Sequence, residues 1–366
     1  MMATTLATRS VPDMASSCES VSDGQGSRRT GNSLPRRTQP SQPSEEQMTT
    51  TWNYGDPYAY MDRVAGGMPP VIICLAANGG IQGKEYNHAL PETSEELAES
   101  VGEAYDAGAS MVHIHARNPE TLWKGATTTE VWLEANRRLR ERCPEIIINN
   151  TTGGDLWMDD EQRLSCLDAN PEVASLNLAP DMGKFKLKPR GEEYTHPRPA
   201  IDFDDCTPFS YKQIAHFAAE MRARGIKPEL ETYHPGCGWV IRDLMAQDLI
   251  EPPYWVQTVM GYQTSSWPTV DNVVNMVREF PEGSVWLCSG IGPHQLPMTT
   301  LATLMGGHVR VGLEDNIYYR RGQKVASNRQ LVERAVRIAH ELNREVATPA
   351  QAREMLGLPP TPSQYG

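Results

Sequence analysis

From about residue 70 onward the chain alternates short, densely apolar runs with longer stretches in which apolar residues recur at helical spacing. The runs at 71–77, 111–116, 145–152, 173–178, 228–233, 254–260, 284–289 and 308–313 read as strands. The stretches at 93–107, 127–142, 158–168, 210–224, 238–248, 269–279, 296–305 and 327–343 read as helices. Thr93, with Glu95 and Glu96 just after it, has the form of a helix N-cap followed by acids in the first turn. Alternating strand–helix units predict a parallel sheet. Eight of them in this length suit a closed (β/α)8 TIM barrel, which takes about 250 residues. The competing architecture is an open doubly wound sheet, but no strand is followed by the GxGxxG of its nucleotide-binding form. Residues 181–209, rich in Pro and charge, read as an insertion between the fourth strand and the helix at 210–224.

The flanks differ in composition. Residues 1–50 carry Ser, Thr, Arg, Pro and Gln and few apolar side chains, so they cannot bury enough surface to offset ordering entropy and read as a disordered extension. Residues 51–69 read as a lead-in segment, and 70–357 as the catalytic barrel. The formal net charge of -12 gives no basic surface for nucleic acid. No apolar run approaches the roughly 18 residues of a membrane span, so no membrane partner is expected. The start lacks an apolar signal-peptide core, and its acids (Asp13, Glu19, Asp23, Glu45, Glu46) argue against a transit peptide. Seven cysteines without a CxxC pair suit a reducing compartment. A cytoplasmic protein is the expectation.

The chemistry concentrates at strand ends. His113 and His115, in VHIHAR, are two apart on the second strand, so both imidazoles face one way. They lie at the strand's C-terminal end, where barrels carry their active sites. Two neutral imidazoles there make a seat for a divalent metal. Two hydrogen-bonded polar residues would be the plainer explanation. In HVRVGLEDN, Glu314 follows the eighth strand, which barrel closure brings near the second, so it can complete a two-His, one-carboxylate set. Three protein ligands leave a position for substrate on zinc, and ferrous iron takes the same set. Asp315 and Arg310 then stand as a charged pair beside the metal; alone, they could be a salt bridge closing the barrel. Thr151 to Gly154 form either a tight turn or a backbone cradle for an oxyanion. Glu229 and Glu231 share a face of the fifth strand. Glu231, nearer the rim, is assigned to the site, and Glu229 to an internal Arg or Lys.

The stretches NHALPETSEELAESVGEAYDAGASMVHIHAR, IIINNTTGG, PEVASLNLAP, GIKPELE, SGIGPHQLPM, GGHVRVGLEDNIYYRRG and ATPAQAREMLGL run in order through most of 70–357. Together they resemble the β-keto acid cleavage enzyme family. The resemblance implies a zinc TIM barrel, usually a homo-oligomer. It also implies that a β-keto acid and acetyl-CoA give acetoacetate and a new acyl-CoA. It implies Zn2+ on His113, His115 and Glu314, Asp315 as general base and Arg310 beside it. Thr151, Gly154, Ser175 and Glu231 fall at substrate-side positions. On this reading Asp315 stays ionised and acts through position more than through a raised pKa. Three loops depart from the family's usual text: ETYHPGCGW after the fifth strand, GYQTSSWPT after the sixth, and the long insertion at 181–209. The acid's side chain is not legible; Gln82 and Glu85, after the first strand, are the expected readers of it. Two other functions compete. Another zinc barrel lyase or hydrolase would act through a metal-bound enolate or water. A non-catalytic metal-binding barrel would have no use for Asp315 and Arg310.

Overall fold

The computed structural model describes residues 56–365, apart from 81 and 156. The extension expected at 1–50 and the lead-in as far as 55 lie outside the described residues. Within the lead-in, Pro57–Gly66 is a helix whose N-cap, Asp56, accepts from the backbone N–H groups of Tyr58 and Ala59.

Eight parallel strands close into a barrel: Ile73–Ala76, Met111–Ile114, Ile147–Asn150, Val173–Asn177, Lys227–Thr232, Tyr254–Met260, Ser284–Gly290 and His308–Val311. The eighth strand pairs with the first through Ile73 and Val309, Cys74 and Arg310, and Leu75 and Val311. The expected TIM barrel is therefore the fold, and the open sheet is excluded by that closure. The helix expected at 158–168 is shorter, Asp160–Leu164. The insertion is not irregular: Asp181–Leu187 and Ile201–Thr207 form an antiparallel hairpin, with Phe185 opposite Phe203.

Side-chain parity explains how one barrel is both a core and a site. Odd and even positions of a strand face opposite sides. Ile73, Leu75, Val112, Ile114, Ile148 and Leu176 belong to the larger apolar cluster. Ile72, Cys74, Met111, Ile147, Val173, Trp255, Val285 and Leu287 form a second cluster, joined there by Ala352, Met355 and Leu356 of the C-terminal helix Pro349–Leu356. Stepping two residues from that second set toward the strands' C-terminal ends changes the chemistry. Met111 leads to His113, Ile147 to Asn149, Val173 to Ser175, Trp255 to Gln257 and Leu287 to Ser289, and all five polar residues are buried. The interior is thus apolar at one end and polar at the other.

Glu172 locks the apolar end. Its buried carboxylate accepts from Arg140 at 2.8 Å, Arg353 at 2.7 Å, and the backbone N–H groups of Ile148 at 2.8 Å and Ser363 at 3.0 Å. Glu172→Ala leaves two buried guanidinium groups without their counter-charge. The expected cost is about 3–5 kcal/mol, or a melting temperature lower by roughly 6–10 °C. A thermal scan showing a drop of less than about 2 °C would remove this locking role.

Candidate active site and metal centre

The polar end of the barrel opens into a cavity of about 1350 Å³, lined by His113, His115, Thr151, Gly154, Glu231, Arg310, Glu314 and Asp315 among others. His113 lies on the second strand, paired across to Ala76 and Asn149. His115 is just past that strand, and its backbone is held by Asn78: His115 N–H donates to Asn78 Oδ1 at 3.1 Å, and Asn78 Nδ2 donates to His115 O at 2.8 Å. Arg117 then clamps the loop after the first strand, donating to the carbonyls of Asn78, Gly79 and Gln82. Gly79 is required there, because a Cβ would come within 2.7 Å of Glu314 Cγ.

His113, His115 and Glu314 each offer one donor atom, all within 4.8 Å of one another. Glu314 Oε1 is 3.4 Å from His115 Nε2 and 3.7 Å from His113 Nε2. Tetrahedral zinc bonds of about 2.0–2.2 Å set ligand atoms roughly 3.4 Å apart, and the two separations from Glu314 to the imidazoles match that spacing. Glu314 Oε2 is buried with no hydrogen-bond partner among the described residues, which also suits a cation. Burial, with the Arg310 charge added, pushes His113 down to about 3, so its imidazole is neutral and able to act as a ligand. Burial would raise the Glu314 carboxyl, but Arg310 and the two imidazoles hold it well below the ordinary range.

Arg310 is the hub of the acidic cluster. It donates to Asp315 from Nε at 3.1 Å and from Nη2 at 3.0 Å, and also to Glu314. Its Nη1 is 3.5 Å from Glu231 Oε1. Burial raises Asp315 despite the opposing Arg310, so in the metal-free protein this carboxylate is more basic than position alone provides. Burial likewise pushes Glu231 up to about 7, against the pull of Arg310. Glu231 accepts from the Tyr233 hydroxyl at 3.1 Å, and that hydroxyl accepts from Asn177 Nδ2 at 2.8 Å. One chain of contacts therefore runs from Asp315 through Arg310, Glu231 and Tyr233 to Asn177.

The remaining residues sort plainly. Thr151 and Gly154 line the cavity. Ser175 stands behind Thr151, its hydroxyl 3.3 Å from the Thr151 hydroxyl and accepting from Thr152 N–H at 3.3 Å. Gln82 lines the cavity, but its amide donates to the carbonyls of Leu313 and Glu314. Glu85 does not reach the cavity lining: its side chain is buried against Arg190 at 2.6 Å and Arg198 at 2.9 Å. Glu229 accepts from Trp255 Nε1 at 2.7 Å, and the internal arginine expected beside it is Arg310, whose charge opposes the rise that burial gives its carboxyl. Asn78, Tyr233 and Asp155 were not legible as site residues. Asp155 lines the cavity and accepts from Gly125 N–H at 2.7 Å.

Comparison with known proteins bears on this geometry. The family described as beta-keto acid cleavage enzyme matches residues 70–358. A 3-keto-5-aminohexanoate cleavage enzyme of Fusobacterium nucleatum subsp. nucleatum is 38% identical over 294 residues, covering 80% of this chain and 99% of that one. A 3-oxoadipate:acetyl-CoA acetyltransferase of Cupriavidus necator is 32% identical, covering 79% of this chain and 95% of that one. Among solved structures, the binary complex of ObcA with oxaloacetate shares the fold, at a TM-score of 0.59 and 18% identity over 74% of this chain and 67% of that one. A match that spans every strand of the barrel, together with relatives this similar along nearly their whole length, settles the assignment: the chain belongs to the beta-keto acid cleavage enzyme family.

Proposed function

We propose that this protein is a zinc-dependent acyltransferase that takes a β-keto acid and acetyl-CoA to acetoacetate and a new acyl-CoA. The observation that carries the reading is the meeting, at one barrel mouth, of a two-His, one-Glu donor set with a carboxylate clamped by a buried arginine. Its relatives' names supply the co-substrate: the Cupriavidus protein is an acetyl-CoA acetyltransferase of 3-oxoadipate. The cavity, at about 1350 Å³, exceeds the roughly 300–1,000 Å³ of a pocket for one small molecule and has room for an acid and a thioester arm.

A zinc ion held by His113, His115 and Glu314 would supply Lewis acidity at the keto group, easing loss of a proton from the adjacent C2. Asp315 takes that proton and later returns it, held in place by two hydrogen bonds from Arg310. Thr151 and Gly154 orient the acid's carboxylate end, with Ser175 fixing the Thr151 hydroxyl from behind. Glu231 balances the Arg310 charge on the face away from Asp315. C2 bonds to the acetyl carbon, the thiolate of CoA moves to the original keto carbon, and the C2–C3 bond breaks. No covalent link to the protein is needed.

The domain organisation we assign is a catalytic barrel over 70–357, preceded by a lead-in and a disordered extension. A homo-oligomer in the cytoplasm belongs to the same reading. The six described cysteines are unpaired, as in a reducing compartment, and no helix among the described residues is long and apolar enough to cross a membrane.

The test follows carbon. With acetyl-CoA labelled at both acetyl carbons, the label is expected in carbons 3 and 4 of acetoacetate and absent from the new acyl-CoA, read by mass spectrometry. Label in the acyl-CoA, or acetoacetate formed without acetyl-CoA, would overturn the transfer.

A further inference from the structure

Resting on that reaction, we propose that the insertion hairpin builds an aromatic subsite for the side chain of the β-keto acid, and that the preferred acid carries a bulky, uncharged aryl or apolar group. The three loops that depart from the family's usual text meet in one place. Gln263, after the sixth strand, staples the hairpin by donating to Lys184 O and accepting from Lys184 N–H, both at 2.8 Å. The hairpin's far end is fixed by buried ion pairs of Arg190 with Glu85 and Glu92 and of Arg198 with Glu85. This roof is therefore a built wall of the cavity.

Strand alternation turns Phe185 and Phe203 inward from the two arms, where they are Cα partners. From this pair an arc of rings runs both ways. Phe203 stacks on Trp157 at 5.9 Å between centroids, and Trp157 meets Trp123 edge-on at 6.3 Å. Phe185 lies 6.1 Å from Tyr262, and Tyr262 lies 6.1 Å from Tyr233. All six rings line the cavity. The Tyr233 end of the arc is bonded to Glu231, which faces Arg310, so the arc leads from the rim to the reacting end.

Aromatic walls also attract cations, but here the protein's own cations occupy the tryptophans. Lys124 Nζ lies 5.2 Å from the Trp123 ring and 5.6 Å from the Trp157 ring, and Arg198 is 5.3 Å from Trp123. A cationic side chain would meet like charge at that end, and an anionic one would lose its water against the electron-rich faces of the rings, which leaves an uncharged one as the better fit.

The experiment compares four acids with acetyl-CoA on the full-length, zinc-loaded protein: 3-oxo-5-phenylpentanoate, 3-oxopentanoate, the anionic 3-oxoadipate and the cationic 3-keto-5-aminohexanoate. The phenyl acid is expected to exceed the others in kcat/KM by about 10-fold or more, in line with pocket discrimination by apolar groups. Phe203→Ala and Phe185→Ala are expected to lower that value about 10-fold, mainly through KM, while 3-oxopentanoate stays within about threefold. Preference for either charged acid, or an equal loss on all acids in both variants, would overturn the subsite. Calorimetric titration of the same acids without acetyl-CoA separates this inference from the reaction. Tighter binding of the phenyl acid that is lost in Phe203→Ala upholds the subsite even where no acid turns over. No difference between acids in binding overturns it.

Discussion

Asp315→Asn is expected to lower kcat by about 10³-fold while metal content stays at the wild-type value, within the 10²–10⁴-fold range of a positioned general base. The substitution keeps size and shape. It retains one oxygen that can accept from Arg310 and gives up the second at a cost in stability, with Glu314 and Glu231 still facing the guanidinium, and it removes the group that takes the proton in the scheme. The geometry makes the loss specific. Arg310 grips both carboxylate oxygens, at 3.0 and 3.1 Å, so the group cannot be replaced by a drifting neighbour. Glu314, next in the chain, faces the imidazoles and is held well below the ordinary carboxylate range against the rise that burial alone would cause, so it is a poor base. Steady-state rates with metal analysis on the same samples check this. A kcat within about 10-fold of wild type would assign the base elsewhere.

His115→Ala is expected to take bound zinc from about one ion per chain to less than about a tenth, because two protein ligands fall short of the three a catalytic zinc site uses. Activity should fall to background with it. The variant suits the test because His115 is partly exposed, whereas His113 is buried in the barrel interior, where replacement would also open a cavity. The Asn78 bonds to His115 are to its backbone, so they survive the change and keep the loop in place. Metal content by mass spectrometry of the dialysed protein, with wild type stripped by chelator and reloaded alongside, gives the result. Full zinc occupancy in the variant would show that the ion sits on other residues.

What could be read from the chain was what has short sequence range or fixed parity. His113 and His115 were read from period two on one strand; the strand ends at Ile114, with His115 just past it, and their donor atoms still come together. Barrel closure brings Glu314 to them, and eight strand–helix units in this length are what favoured closure over an open sheet. The hairpin was missed because its arms, DMGKFKL and IDFDDCT, alternate only weakly and are dense in charge. Glu85 was misplaced because its partners Arg190 and Arg198 are more than a hundred positions away, and no local rule reports that a surface-looking acid is sunk between two arginines. Tyr233 carries no motif at all. Its part in the site exists only because the turn after the fifth strand folds its hydroxyl back onto Glu231, two residues earlier.

The C-terminal helix has a kinetic consequence. Ala352, Met355 and Leu356 fill the apolar end of the barrel alongside Ile72, Cys74 and Trp255, so traffic through the site is one-ended. In the proposed reaction the keto end of the acid lies deep, toward His113 and Arg310, and the thioester reaches it from the mouth. Whatever sits deeper goes in first and comes out last. Acetyl-CoA is therefore expected to bind to an enzyme already holding its acid, and the new acyl-CoA to leave before acetoacetate. Such an order would follow from the closed floor of the barrel, without any moving part.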